Sequence, residues 1–167
     1  MIFILNGSVG VGKTSVSWAL NESFDKSVML DGDYLGAVYP FEIYDEARVT
    51  YLYQTLAHLI TFHQKHGYTN FVINYVLESP ENLSELIGYL RPLEGDIYTF
   101  WLTCSEDEQR KRILKRKTDQ WAWELERFTE LNAILEAASE RGVVGTRVDT
   151  TDKSVAEIVE TIRKVTA

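Results

Sequence analysis

Five short apolar runs punctuate the chain: Ile2–Leu5, Val28–Leu30, Phe71–Val76, Ile97–Leu102 and Val143–Val148. Most are unbroken rather than alternating, the pattern of strands covered on both faces. Helical patterns lie between them. Val16, Leu20 and Phe24 recur at four-residue steps after the first run. Leu52, Leu56, Leu59, Ile60 and His63 make a second stripe, which should end at Gly67 with His66 near the negative end of the helix. Trp121, Leu125, Phe128, Leu131 and Leu135 make a third, and Val155, Ile158, Val159, Ile162 and Val165 a fourth. Ser105-Glu106-Asp107-Glu108 reads as a capping box just after a strand. Strands alternating with helices predict an α/β fold: a five-stranded parallel sheet, right-handed crossovers and ligands at the carboxyl ends of the strands.

Length changes this picture little: 167 residues suit one domain, expected to span 1–167. One cysteine, Cys104, excludes a disulfide framework within the chain, and three scattered histidines show no zinc spacing. The opening apolar run lacks a basic flank, and no run is long enough to cross a membrane. A soluble, cytoplasmic protein, monomer or homodimer, is expected. Net charge is −8, which disfavours nucleic acid as a partner because phosphate contacts need a broad basic surface. A small anion in a local basic pocket is still allowed.

The chemistry concentrates near the amino terminus. Gly7, Gly12, Lys13 and Thr14 in "GSVGVGKT" satisfy G-x-x-x-x-G-K-[ST]. Such a loop turns its backbone N–H groups toward phosphate oxygens, and the helix that follows adds its positive end. Gly7, Ser8, Val9, Gly10, Val11, Gly12, Lys13, Thr14 and Ser15 are the candidate nucleotide-binding residues, with Lys13 reaching the β- and γ-phosphates and the Thr14 hydroxyl joining a Mg²⁺ shell. The stretch from Gly10 to Ser15 is one small residue short of a dinucleotide fingerprint. Asp31 and Asp33 lie about where a ribose-binding acid would stand. That reading leaves Lys13 unexplained and starts its first glycine several residues after the strand.

Asp31 and Asp33, in "LDGDYL", close the second strand beside the loop. One carboxylate there can help hold Mg²⁺, and the other can orient and deprotonate a substrate hydroxyl. Their division of labour stays open. Arg110–Lys117 carries six basic residues in eight, and Arg112 and Arg116 share one helix face.

Together, "GSVGVGKT" and "LDGD" resemble the small P-loop kinases, a group that includes gluconate kinase, shikimate kinase, adenylylsulfate kinase and chloramphenicol phosphotransferase. "RILKR" and "VDTTDKSVAEIV" extend the resemblance over nearly the whole chain. It implies a three-layer P-loop NTPase fold, strand order 2-3-1-4-5, with helices on both faces. ATP and Mg²⁺ would be cosubstrates, and a lid would span about 112–127. The implied activity is ATP-dependent transfer of the γ-phosphoryl group to a hydroxyl of a small molecule. Lys13, Asp31, Asp33 and Arg116 are then the catalytic candidates, Thr14 and Asp31 the metal ligands, and Arg112 a nucleotide contact, with Arg127 a further lid arginine. Asp33, Tyr34, Arg48 and Asn74 would face the acceptor, in a region that also holds Tyr39 and Tyr51. The third strand, "FVINYVLESP", offers Asn74 where many P-loop proteins place a metal-directed Asp. Two alternatives stand beside this: a polynucleotide or nucleoside monophosphate kinase, and a regulatory module that binds nucleotide without transfer. Trp121 is expected to pack in its stripe, and Trp123 either to pack or to stack on a ligand.

Overall fold

The structure, a computed structural model, describes residues 1–42, 44–116 and 119–166. Lys117, the last residue of the basic run, lies outside them. Strands β1 (Ile2–Gly7), β2 (Ser27–Asp31), β3 (Asn70–Asn74), β4 (Ile97–Thr103) and β5 (Thr146–Asp149) form one parallel sheet in the order β2-β3-β1-β4-β5. The helices are α1 (Lys13–Glu22), α2 (Gly32–Leu35), α3 (Glu46–Lys65), α4 (Pro80–Leu90), α5 (Glu106–Arg116), α6 (Trp121–Arg141) and α7 (Val155–Val165).

Successive strand side chains point to opposite faces, and the unbroken runs use both. Ile2, Ile4, Phe71 and Ile73 pack under Leu52, Leu56 and Ile60 of α3 and Leu83, Leu86 and Leu90 of α4. Phe3, Leu5, Val72, Phe100 and Leu102 pack under Val16 and Leu20 of α1 and Ile158, Val159 and Ile162 of α7. Trp101 meets Leu135 and Ala138 of α6. The sheet order and the helices on both faces are those the sequence resemblance implies.

Several boundaries differ from the expected ones. β3 ends at Asn74, because its neighbour β2 leaves the sheet after Asp31; Tyr75 and Val76 line a cavity instead. β5 begins at Thr146 rather than Val143. Gly145 has φ +127°, and a Cβ there would lie 2.7 Å from the Phe100 carbonyl carbon, so the chain crosses β4 too closely to pair earlier. Helix α1 stops at Glu22, and Phe24 stacks on Phe3 at 5.0 Å from outside the helix. α3 ends at Lys65 with His66 as its cap, two residues before the expected Gly67, which has φ +84°.

Helix α4 is not signalled by an apolar stripe in the reading above. Its start is nonetheless marked: Ser79 accepts from the Asn82 N–H, and Pro80 occupies the first turn. Only half of the Ser105 capping box forms. The Glu108 N–H reaches Ser105 Oγ, but the Glu108 carboxylate turns to Arg112. The complete box is Ser154–Glu157 at α7. Trp121 is about half exposed rather than packed. Among the described residues, no helix is long and apolar enough to cross a membrane.

Candidate active site

β1 runs between β3 and β4, so the loop from Gly7 to Gly12 emerges at the carboxyl edge of the sheet, where connections diverge to either side. Gly7 has φ +147° and Gly12 φ +99°, left-handed values that favour glycine. At Gly7 space adds to the demand, since a Cβ would sit 2.6 Å from the Leu102 carbonyl oxygen.

The loop's carbonyls are held from behind. Val9 O accepts from Gln109 Nε2 at 2.7 Å, Val11 O from Thr150 Oγ1 at 2.9 Å and from Arg112 at 3.3 Å, and Ser8 O from Lys13 Nζ at 3.0 Å. Ser8 Oγ donates to the Phe128 carbonyl of α6 at 3.1 Å. With these acceptors engaged, the loop's N–H groups are the surface offered to an anion.

Lys13 is only 9% exposed. Burial lowers its pKa to about 8; Asp33 and Asp31 oppose the shift, and the Arg116 charge adds to it. A desolvated ammonium beside a glycine-rich loop suits an anionic ligand.

Asp31 sits at the end of β2 and caps α2. Its Oδ1 accepts from the N–H groups of Asp33 and Tyr34 at 3.0 and 3.4 Å. Its Oδ2 accepts from Asn74 Nδ2 at 2.8 Å, and the same amide nitrogen lies 3.3 Å from Thr14 Oγ1. Asn74 pairs in register with both Leu5 and Asp31, so it stands where β2 and β3 end beside β1. It is 2% exposed, and its Oδ1 is buried without a hydrogen-bond partner among the described residues. Thr14 and Asp31 therefore bring two oxygens to one amide, and a third oxygen nearby is unsatisfied. This arrangement suits a divalent cation, a hard ion that takes oxygen ligands. Among the described residues no three His, Cys, Asp or Glu side chains gather to hold a metal. An ion here would take its remaining ligands from phosphates and water.

Asp33, on α2, lines a cavity of about 740 Å³ that opens from the loop. Its surface is open to solvent although protein surrounds it on most sides. Desolvation raises its pKa, Lys13 opposes the rise, and Asp31 adds to it.

The cavity gathers Val9, Gly10, Gly12, Lys13, Thr14, Asp33, Arg48, Asn74 and Arg116 of the predicted residues. Arg48 is 7% exposed, not a surface residue; its Nε donates to the Glu42 carbonyl at 2.9 Å, and its guanidinium stacks 4.8 Å over Phe41. Arg112 does not line the cavity: it bonds Glu108, Val11 O and both Thr150 oxygens and so braces the loop. Tyr34 is 84% exposed and stands outside the cavity, as do Tyr39 and Tyr51. Ser15 is exposed on the first turn of α1. Arg127 joins Glu78, Glu130 and Tyr44.

Sequence reasoning missed the far wall: Phe41, Tyr44, Tyr53, Tyr75 and the carboxylates Glu46, Glu78, Glu85 and Glu124. They come from the 41–46 segment, α3, the end of β3, α4 and α6, and no short motif joins them. Trp123, raised as a possible stacking residue, also lines the cavity and is half exposed. The signal that does exist is the apolar run "FVINYV", whose last residues leave the sheet.

No protein-family model matches the sequence, and no curated protein matches it. Solved structures do match. A sugar kinase from Janibacter sp. is 16% identical with a TM-score of 0.72, covering 98% of this chain and 92% of that one. The tunicamycin resistance protein of Deinococcus radiodurans is 17% identical with a TM-score of 0.68, over 99% and 95% of the two chains. A gluconokinase from Sinorhizobium meliloti is 19% identical with a TM-score of 0.60, over 95% and 86%. At these identities the likeness speaks for architecture, and the architecture is the P-loop kinase-like α/β fold.

Proposed function

We propose that the protein is an ATP-dependent kinase that transfers the γ-phosphoryl group to a hydroxyl of a small molecule. The observation that carries this reading is the placement of Asp33 in the same cavity as Lys13. A carboxylate able to take a proton thus stands across from a cation able to neutralise a phosphate.

In this reading the 7–14 loop binds the triphosphate through its N–H groups, and Lys13 and Arg116 oppose the charge on the transferring group. Thr14 and Asp31 would hold Mg²⁺, which when bound neutralises phosphate charge and orients the donor. The two aspartates would then divide the work. Asp31 is committed to capping α2 and to Asn74, so it positions. Asp33 faces the cavity, so it orients the acceptor hydroxyl and accepts its proton. Asn74 turns toward Thr14 and Asp31, on the metal side rather than the acceptor side. Arg116, Gln120, Trp123, Glu124 and Arg127, which line the cavity, would help to exclude water from it. The protein would act in the cytoplasm on a small metabolite, within one domain.

The deciding measurement is acceptor-dependent ADP release across a panel of hydroxylated metabolites. Asp33→Asn should lower turnover by about 10²–10⁴-fold, the range of general-base catalysis, with ATP affinity little changed. Wild-type turnover in that variant would remove Asp33 from the base role. ADP release that no acceptor stimulates would favour a nucleotide-binding regulatory module instead.

A further inference from the structure

We infer that Gln109 and Thr150 are positioning residues for phosphate binding: from behind the 7–12 loop, they aim the N–H groups of Gly10 and Gly12 into the cavity. The inference rests on the kinase reading above only in taking the loop to hold phosphate. It names side chains outside the motif that make the loop competent. Its physical basis is the planar peptide bond. In a trans peptide the carbonyl and the N–H of the next residue point in opposite directions. A side chain that draws one carbonyl backward therefore turns the following N–H forward.

Gln109 does this at the Val9–Gly10 peptide. It lies on α5 and is 0% exposed. Its Nε2 donates to Val9 O at 2.7 Å. Asn132 of α6 fixes which way the amide faces: Asn132 Nδ2 donates to Gln109 Oε1 at 2.8 Å, and Gln109 Nε2 lies 3.4 Å from Asn132 Oδ1. Turned over, the Gln109 amide would set its oxygen against Val9 O. One turn along α5, Ile113 closes on Gly10, where a Cβ would meet Ile113 Cγ1 at 3.1 Å. The peptide is held at its oxygen and packed at its α-carbon.

Thr150 does the same at the Val11–Gly12 peptide. It stands just past β5 and is also 0% exposed. Its Oγ1 accepts from Arg112 Nη1 at 3.1 Å, which directs its own proton to Val11 O at 2.9 Å. Arg112 itself reaches Val11 O at a longer 3.3 Å. Gly10 and Gly12 both line the cavity, and neither N–H has an acceptor among the described residues. Backbone donors left open in this way suit an anion. Burying an amide and a hydroxyl behind the loop costs desolvation that apolar side chains would avoid, and the bonds to loop carbonyls are what offset it.

The test reads each peptide separately. Isotope-labelled protein is titrated with inorganic tripolyphosphate while the amide NMR signals of Gly10 and Gly12 are followed. In the wild type both should move downfield. Gln109→Met should blunt the Gly10 shift and spare that of Gly12, and Thr150→Val should do the reverse. By calorimetry each variant should bind tripolyphosphate about 10–100-fold more weakly, the worth of a hydrogen bond to a charged group. Thr150→Ser keeps the hydroxyl and should bind as the wild type does. Asn132→Leu leaves the Val9 bond but frees the Gln109 amide to turn, so it should weaken binding by a smaller factor. That variant carries the Gln109 arm if Gln109→Met does not fold. Wild-type affinity in both Gln109→Met and Thr150→Val would overturn the inference. So would equal loss of both glycine shifts in each variant, the sign of a loop that merely loosens, or wild-type glycine amides that ignore tripolyphosphate. ADP release is the separate arm. Paired glycine shifts in a protein whose ADP release no acceptor stimulates would keep the positioning roles and remove the kinase.

Discussion

At the scale of single residues, Lys13 concentrates the energetics of the site. Its folded pKa of about 8 lies below the ordinary 10.5, so between those values the unfolded chain holds more protons than the folded one. Stability attributable to this group therefore rises with pH across that window, and the cost of the buried charge is fully present below about pH 8. Lys13→Met should raise stability at pH 7 by about 1–3 kcal/mol, somewhat less than the full cost of the buried charge because the bond to the Ser8 carbonyl is lost as well, in urea unfolding without nucleotide. The same variant should lose nucleotide-induced stabilisation. Phosphates returning the counter-charge should also draw a proton onto Lys13: calorimetry in buffers of different ionisation enthalpy should show uptake growing from pH 7 to pH 9, and none in Lys13→Met. The loop half of the candidate site is readable in the sequence because one contiguous stretch carries it. Arg112 shows the limit of that reading. Its helical spacing from Arg116 is plain, but whether it faces phosphate or braces Val11 and Thr150 depends on a turn 38 residues away.

At the scale of elements, α2 is four residues that hold the two aspartates apart, and Gly32 is its most constrained position. A Cβ there would lie 2.5 Å from Tyr75 Cδ2. Gly32→Ala should cost about 1–3 kcal/mol by overpacking and should weaken acceptor binding through Tyr75. Gly88, in α4, has open space around its missing side chain. Gly88→Ala should instead stabilise by about 0.5–1 kcal/mol, the helix-propensity gain; paired denaturation curves check both signs. The central strands β1 and β3 were legible because burial on both faces leaves them almost continuously apolar. Helix α4 was equally legible, from Leu83, Leu86, Ile87 and Leu90 at helical spacing and from its Ser79-Pro80 start, and was passed over. The edges of β3 and β5 were not legible, since they depend on where neighbouring strands depart and on how closely Gly145 passes β4.

At the scale of the molecule, Arg127 ties three walls of the cavity together: Tyr44 from the 36–45 segment, Glu78 after β3, and α6 itself through Glu130. Burial opposes its charge, but the bonds to Glu130 and Tyr44 and the Glu78 field prevail and raise its pKa. Arg127→Met should destabilise by roughly 1–3 kcal/mol, because Glu78 loses its partner, and should raise the acceptor KM more than the ATP KM in initial-rate measurements. The far wall was illegible for the same reason that it matters: its residues meet only once the sheet and helices are assembled. The loop between β1 and α1 also grips the chain at two distant points, Arg112 through Val11 and Phe128 through Ser8. Those grips hold the described parts of α5 and α6 to the loop, like the two buckles of a strap. A nucleotide that stiffens the loop thereby tightens the strap. Amide exchange between the two buckles should slow on nucleotide binding, and Ser8→Ala should release one end and blunt the response.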